Sequence, residues 1–231
     1  MPAASIRHAA VDGFVVILDL RRGTYRLLDR VASAMWSALI GHAATDADAA
    51  VQTLLERFAV EPNRLRRDVA AFRATCIADG LLVTSDAGES TQRAAPRARS
   101  RRIVFPALAA WHHLAGTALL LRRRGFAAAY RAAAAFGGTS RAHFDEAVLD
   151  RACRAFARAE NFFVARRAPD DCLPRSLALF RFLRAMGLPA VHVIGVRRAP
   201  FYAHAWVECN ERVVLDADHR AELTTLARIA G

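Results

Sequence analysis

The chain has 231 residues, 54% of them apolar, and a formal net charge of +11. That is enough for one large domain or two small ones with a real core, which excludes a largely disordered chain. All 33 basic residues are Arg, and the charge is +1 over residues 1–84, +3 over 85–102 and +7 over 103–231. A nucleic-acid reader concentrates charge on its recognition element, so the near-neutral first segment argues against one. The excess further on suits an acidic peptide partner or only a solvated surface.

The four cysteines, Cys76, Cys153, Cys172 and Cys209, lie far apart and fit no framework of close spacings. The opening MPAASIRHAAVDGF lacks the apolar run of a signal peptide. The expected compartment is the cytosol, with free thiols. No CxxC or HExxH occurs, so no metal site and no cofactor are expected.

The first element is a strand over Phe14–Leu20, rich in β-formers. Arg22-Gly23 can turn, and Thr24–Leu28 alternates as a return strand. Three helices follow. Ala32–Ile40 ends at Gly41. The second is capped by Thr45 or Asp46 and runs to about Phe58. The third has Pro62 in its first turn and stops at Gly80. Leu81–Val83 closes the unit. A β-hairpin followed by three helices is a small winged-helix-like domain, residues 1–84. Thr84 to Arg102 has almost no apolar residue and no period, so 85–102 reads as a linker.

Residues 103–231 form the second domain. IVFPALAAWHHLAGTALLLRRRG is long and apolar enough to invite a membrane reading. His112-His113 in its middle and Pro106 near its start favour a buried or groove-lining helix, and no stable span is expected. The Arg122–Arg124 run reads as a solvated helix end. Helices follow over Phe126–Phe136, stopped by Gly137-Gly138, and over about Arg141–Ala165. Another starts near Cys172 and ends at Gly187, with Pro189 beyond. Strands over Ala190–Val196, Tyr202–Glu208 and Arg212–Asp216 complete the chain. Helices before an antiparallel sheet make the fold α+β.

The stretch DDCLPRS places Cys172 at the start of a helix that Asp170 or Asp171 can cap and where Pro174 is tolerated. A thiol there feels the positive helix end, which stabilises thiolate, and free N–H groups that can hold an oxyanion. This stretch alone leaves two readings open, a nucleophile or a buried structural thiol. A nucleophile needs a base, usually His, and the base an orienting acid. FYAHAWVECNERVVLD reads as two strands around a tight turn. A Glu208–Arg212 pair across a three-residue loop sets a register in which His204 faces Asp216 and Trp206 faces Val214. A two-residue turn at Asn210-Glu211 breaks that alignment. Period two puts His204, Trp206 and Glu208 on one face, where Trp206 can shield the pair from water. Taken singly, His204 and Asp216 are unremarkable, and Asp218 competes nearby. Taken together, the Cys–His–Asp order suits a papain-like or transglutaminase-like thiol site. His112, His113 and His192 read as packing residues. Cys76, Cys153 and Cys209 read as inert.

The block CLPRSLALFRFLRAMGLPAVHVIGV, then AHAWVE and VVLD, resembles the leader peptidase of lasso peptide biosynthesis, the B protein. The resemblance covers about Ala155–Asp216. It implies a transglutaminase-like fold, with Cys172 as nucleophile, His204 as general base and Asp216 as its orienter. No Gln or Asn stands where an oxyanion donor can be assigned. The segment LDLRRGTYRLLDRVASAMWSALIG, with LLERFAVEPNRLRRDVAAFRATCIADGLLV, resembles the precursor-peptide recognition element. Asp19, Gly23, Tyr25, Leu28, Trp36, Asp68, Phe72, Gly80 and Leu81 carry that likeness.

Together the resemblances imply a cysteine peptidase that binds the leader of a ribosomal precursor peptide and cuts at the leader–core junction. The freed core amine then passes to an ATP-dependent, asparagine-synthetase-like macrocyclase. Leader binding is expected by strand addition at Thr24, Tyr25, Arg26, Leu27 and Leu28, beside Val69, Phe72, Arg73 and Cys76 of the third helix. A non-catalytic peptide-presenting adaptor and an acyl-transferring enzyme are the alternatives.

Overall fold

The structure is a computed structural model that describes residues 1–42, 47–83, 105–136, 144–162 and 172–230. The predicted caps Thr45, Asp46, Asp170 and Asp171, the Gly137-Gly138 stop and the linker lie outside the described residues. The chain divides into two compact units, Met1–Gln92 and Arg93–Gly231.

In the first unit, β1 (Ile6–Val11), β2 (Phe14–Asp19) and β3 (Thr24–Leu27) form an antiparallel sheet in the order β1-β2-β3. The predicted hairpin is therefore β2–β3, and β1 is an addition. It joins β2 through Asp12-Gly13, both left-handed (φ 51° and 78°), a two-residue turn whose twist matches that of the strands. Asp12-Gly13 was the available signal. The half-buried Arg7–Ala9 stretch of β1 gave no clean alternation to support it.

Helices α1 (Arg30–Gly41), α2 (Ala47–Leu55) and α3 (Pro62–Ala78) follow. Asp29 caps α1, its carboxylate accepting from Ala32 N–H at 2.8 Å. Glu61 caps α3 through Asn63 and Arg64, with Pro62 at the first position. Left-handed Gly80 ends α3, where Leu81 N–H donates to Cys76 O at 2.8 Å. Trp36, Ile17, Leu39, Leu54 and Val69 fill the core. Each large apolar side chain buried there contributes about 1.5–3 kcal/mol.

In the second unit, α4 (Pro106–Ala134) is one helix by hydrogen bonding but kinks at Gly125 (φ 72°), where the sequence predicts a break. Its buried side is Ala110, Leu114, Thr117, Ala129, Tyr130 and Ala133. Leu108, Trp111 and Leu119 are exposed, so the helix is only half-buried. No helix among the described residues is long and apolar enough to cross a membrane. Next come α5 (Glu146–Asn161), capped by Asp145, and α6 (Cys172–Ala185). The sheet is antiparallel, β6-β5-β4-β7, built from β4 (Ala190–Arg197), β5 (Tyr202–Cys209), β6 (Arg212–Val213) and β7 (Thr224–Ala230). β7 was not anticipated from the sequence. The architecture is α+β, with helices packed on an antiparallel sheet.

The predicted β5–β6 register is corrected. Cys209 pairs with Arg212 and Glu208 with Val213, so the loop has two residues. Asn210 and Glu211 are both left-handed (φ 50° and 64°), the conformation a tight hairpin turn requires. The Glu208–Arg212 ion pair does not form. Arg212 pairs with Glu146 of α5 and Glu208 with Arg228 of β7. Those partners come from distant segments, and no local rule names them.

Candidate active site

Cys172 opens α6, and His204 lies on β5. Cys172 and His204 are close enough that each shifts the other's ionisation. His204 Nε2 is 3.0 Å from Asp216 Oδ2. The structure thus brings together all three residues singled out in the sequence, despite the changed register. The reason is local. The ladder continues one step past β6, with Val214 N–H donating to Val207 O at 2.9 Å. Leu215 then turns left-handed (φ 55°), a conformation rare for a branched residue. The chain leaves the ladder there, and the Asp216 carboxylate swings back to the imidazole.

The electrostatics follow from these contacts. Burial opposes the Cys172 thiolate. Hydrogen bonds from His204 and from the Ala205 and Leu173 N–H groups outweigh it, and the thiol ionises below its ordinary range. Hydrogen bonds to Asp216 and then to Cys172 hold a proton on His204 against burial, pushing it up to about 9. Burial acts to raise Asp216, but His204, the Ala217 N–H and the charge of Arg175 keep it below the usual carboxylate value. A lowered thiol beside a raised imidazole is the setting for a thiolate–imidazolium pair. Asp218 is not the partner of His204. It is exposed and held by Arg220, which pulls it down to about 2.

Two aromatic rings flank the imidazole. Trp206 is buried, stacks on His204 (centroids 6.4 Å apart, planes at 15°), and donates from Nε1 to Glu208 Oε1 at 3.0 Å. Tyr202 lies nearly parallel on the other side, and its Oη is 3.3 Å from His204 Nδ1. Three further residues escaped the sequence reading. Gly195 pairs with His204, and a Cβ there would lie 2.6 Å from the Trp206 ring. A glycine inside a strand is the signal of such close approach. Arg175, one turn after Cys172, forms a fork to Glu160 and lies 4.0 Å from Asp216 Oδ2. His219 meets the His204 ring edge-on at 4.5 Å and lies 3.9 Å from Asp216 Oδ1.

His204, Asp216 and His219 offer a donor set for a divalent ion, their ligand atoms lying within 4.8 Å of one another. A metal would have to displace the proton that Asp216 and Cys172 hold on His204. His113 and His192 pack, as expected, whereas His112 is exposed. His192 is fully buried, pushed down to about 3 by burial, and hydrogen-bonded to Ser176 Oγ at 3.0 Å. His113 is pushed down to about 4, chiefly by burial. Burial raises Cys153, and takes Cys76 and Cys209 up to about 11. All four cysteines are free.

In the first unit β3 is an edge strand, and Thr24, Tyr25, Arg26 and Leu27 are all exposed. Leu28, just beyond it, packs against the core and donates from its N–H to Val15 O. Phe72 and Arg73 are partly exposed. Val69 and Cys76 are core residues, 1% and 3% exposed. Helical spacing puts all four on one stripe, and packing decides which of them stay accessible. Arg26 pairs with Asp79 at the end of α3. A cavity of about 230 Å³, lined by Val31, Met35, Leu54, Phe58, Val60 and Leu65 together with Arg64 and Asp68, opens among α1, α2 and α3. Nothing in the sequence marked it.

Comparison with known proteins matches both units. Residues 111–228 match the transglutaminase-like superfamily, and residues 15–82 match coenzyme PQQ synthesis protein D. The chain is 47% identical over 60 residues to the microcin J25-processing protein McjB of Escherichia coli, which is 26% of this chain and 29% of McjB. The chain thus spans under a third of the curated relative's length. The solved structure of TbiB1 in complex with the TbiA(beta) leader peptide matches at 26% identity, TM-score 0.33, over 38% of this chain and 98% of that one. The chain belongs to the transglutaminase-like superfamily, with a PqqD-type domain ahead of the transglutaminase-like one, and this pairing together with its likeness to McjB is that of a lasso peptide biosynthesis B protein.

Proposed function

We propose that this protein is a cysteine peptidase that binds the leader of a ribosomally made precursor peptide and cleaves it at the leader–core junction. The observation that carries the reading is the placing of His204 between Cys172 and Asp216: it is hydrogen-bonded to Asp216 at 3.0 Å, and it and Cys172 shift each other's ionisation. The Cys172 thiolate attacks the carbonyl carbon of the scissile bond, and the charge moves to the carbonyl oxygen. His204 then gives its proton to the leaving amine, the C–N bond breaks, and a thioester remains. Water, deprotonated by His204, attacks the thioester. The leader acid leaves and the thiolate is restored. Asp216 stays ionised and keeps the imidazole oriented. The freed core amine is the substrate of an ATP-dependent, asparagine-synthetase-like macrocyclase. The reaction belongs in the cytosol, where free thiols persist.

Leader capture falls to the first unit. The leader adds as a strand to β3, contacting Thr24, Tyr25, Arg26 and Leu27, and passes over Phe72 and Arg73 of α3. The PqqD match over residues 15–82 and the position of β3 at the edge of the described sheet support this.

The test is Cys172→Ala in the full chain, with a synthetic peptide spanning the leader and first core residues of the precursor encoded beside the gene. The variant binds the peptide as the wild type does and yields no cleaved product. Cleavage by purified Cys172→Ala protein sinks the assignment.

A further inference from the structure

The thiol site described above has an electrophile position but no side chain assigned to hold the oxyanion. Tyr202 stands beside the imidazole of that site. Tyr202 and His204 are two residues apart on β5, so their side chains leave the same face. Asp216 takes Nε2 of His204, and Tyr202 Oη is 3.3 Å from the other ring nitrogen, Nδ1, of the imidazole that shifts the Cys172 thiol. Among the described residues the hydroxyl makes this one hydrogen bond.

The protonation state decides what the hydroxyl can do. With the imidazole protonated, Nδ1 is a donor, so Oη faces it with a lone pair. The Tyr202 O–H then has no acceptor on the ring and is free to donate elsewhere. The ring itself is held, lying nearly parallel to His204 (10°) with the Arg197 guanidinium 5.3 Å over its face. The N–H groups of Ala205 and Leu173 already point at the sulfur. When the thiolate attacks, its charge passes to the carbonyl oxygen, one bond beyond the carbon joined to sulfur. That oxygen needs donors placed in advance.

We propose that Tyr202 is a catalytic residue whose hydroxyl donates to the oxyanion of the tetrahedral intermediate. This rests on the peptidase reading above. The proton stays on Tyr202 throughout. The hydroxyl stabilises charge as it develops and is released when the C–N bond breaks and the carbonyl re-forms.

Tyr202→Phe keeps the ring and removes only the hydroxyl. Three measurements on the full chain decide the matter: cleavage of the leader–core peptide, affinity for that peptide, and the pH profile of Cys172 alkylation by iodoacetamide. The expected result is a kcat lower by about 10²–10³-fold, with unchanged KM, unchanged affinity and a superimposable alkylation profile. An unchanged kcat overturns the role of Tyr202 and leaves the peptidase reading standing. A displaced alkylation profile also overturns it, because the hydroxyl would then tune the thiol. No cleavage by the wild type overturns both.

Discussion

His204 and Asp216 are hydrogen-bonded at 3.0 Å although they are not partners in the β5–β6 ladder. A left-handed Leu215 makes the contact. Asp216→Asn keeps the shape and removes the charge that holds the His204 proton. kcat falls by about 10²–10⁴-fold. The alkaline limit of activity, set by loss of the imidazolium proton, moves down from about 9 toward ordinary imidazole. A pH–rate profile of the variant checks both. An alkaline limit left in place would show that Asp216 does not set the His204 proton affinity.

The four thiols differ in reactivity. Cys172 ionises below its ordinary range because hydrogen bonds to its thiolate outweigh burial. Cys76 and Cys209 are held up to about 11, chiefly by burial. Brief iodoacetamide treatment near neutral pH followed by peptide mapping finds the label at Cys172 first, because the thiolate is the reactive form. Equal labelling of Cys76 in the native protein contradicts the arrangement.

Two histidines, buried His192 and half-buried His204, bound the stability of the second unit in opposite pH directions. His192 is lowered to about 3 in the fold, so its stabilising share is complete above about 6.5 and is lost as pH falls toward 3. His204 is raised to about 9, so its share is complete below about 6.5 and is lost as pH rises through 9. Each changes stability by at most about 1.4 kcal/mol per pH unit. Thermal melts from pH 4 to 10 read this. His192→Gln flattens the acid side only, and His204→Gln the alkaline side only.

Gly195→Ala puts a methyl 2.6 Å from the Trp206 ring and 2.9 Å from Leu223 Cβ. Trp206 is fully buried and tied to Glu208, so it has little room to yield. Overpacking of this kind costs about 1–3 kcal/mol, and the displaced indole disturbs its stack with His204. A lower melting temperature together with a lower kcat is expected. A melt like that of the wild type would mean the sheet absorbs the methyl.

Leu27→Pro tests strand addition. Leu28 N–H donates inward to Val15 O, and antiparallel pairing alternates, so Leu27 N–H points outward. Proline there removes an outward donor and spares the β2–β3 ladder. Leader affinity measured by fluorescence anisotropy falls at least tenfold, a loss of about 1.4 kcal/mol, with the melting temperature nearly unchanged. Full affinity in the variant rules out pairing at that N–H.

Much of this protein was legible in its sequence because the signals are local. Pro62 and Gly80 bracket α3, period two puts His204, Trp206 and Glu208 on one face, and CLPRS starts a helix with a thiol. The tertiary structure decided what depends on residues distant in the chain. Glu208 chose Arg228 over Arg212, so charge pairing along the hairpin misled the register. Val69 and Cys76 went into the core while Phe72, on the same stripe, is only partly buried against it. Arg175 reached Glu160 of α5 and the Asp216 carboxylate, joining the helix that Cys172 opens to Asp216 beyond the end of β6. Period and capping act over one or two turns of chain. A site made from a helix start, a strand and a bent loop exists only where packing places them together.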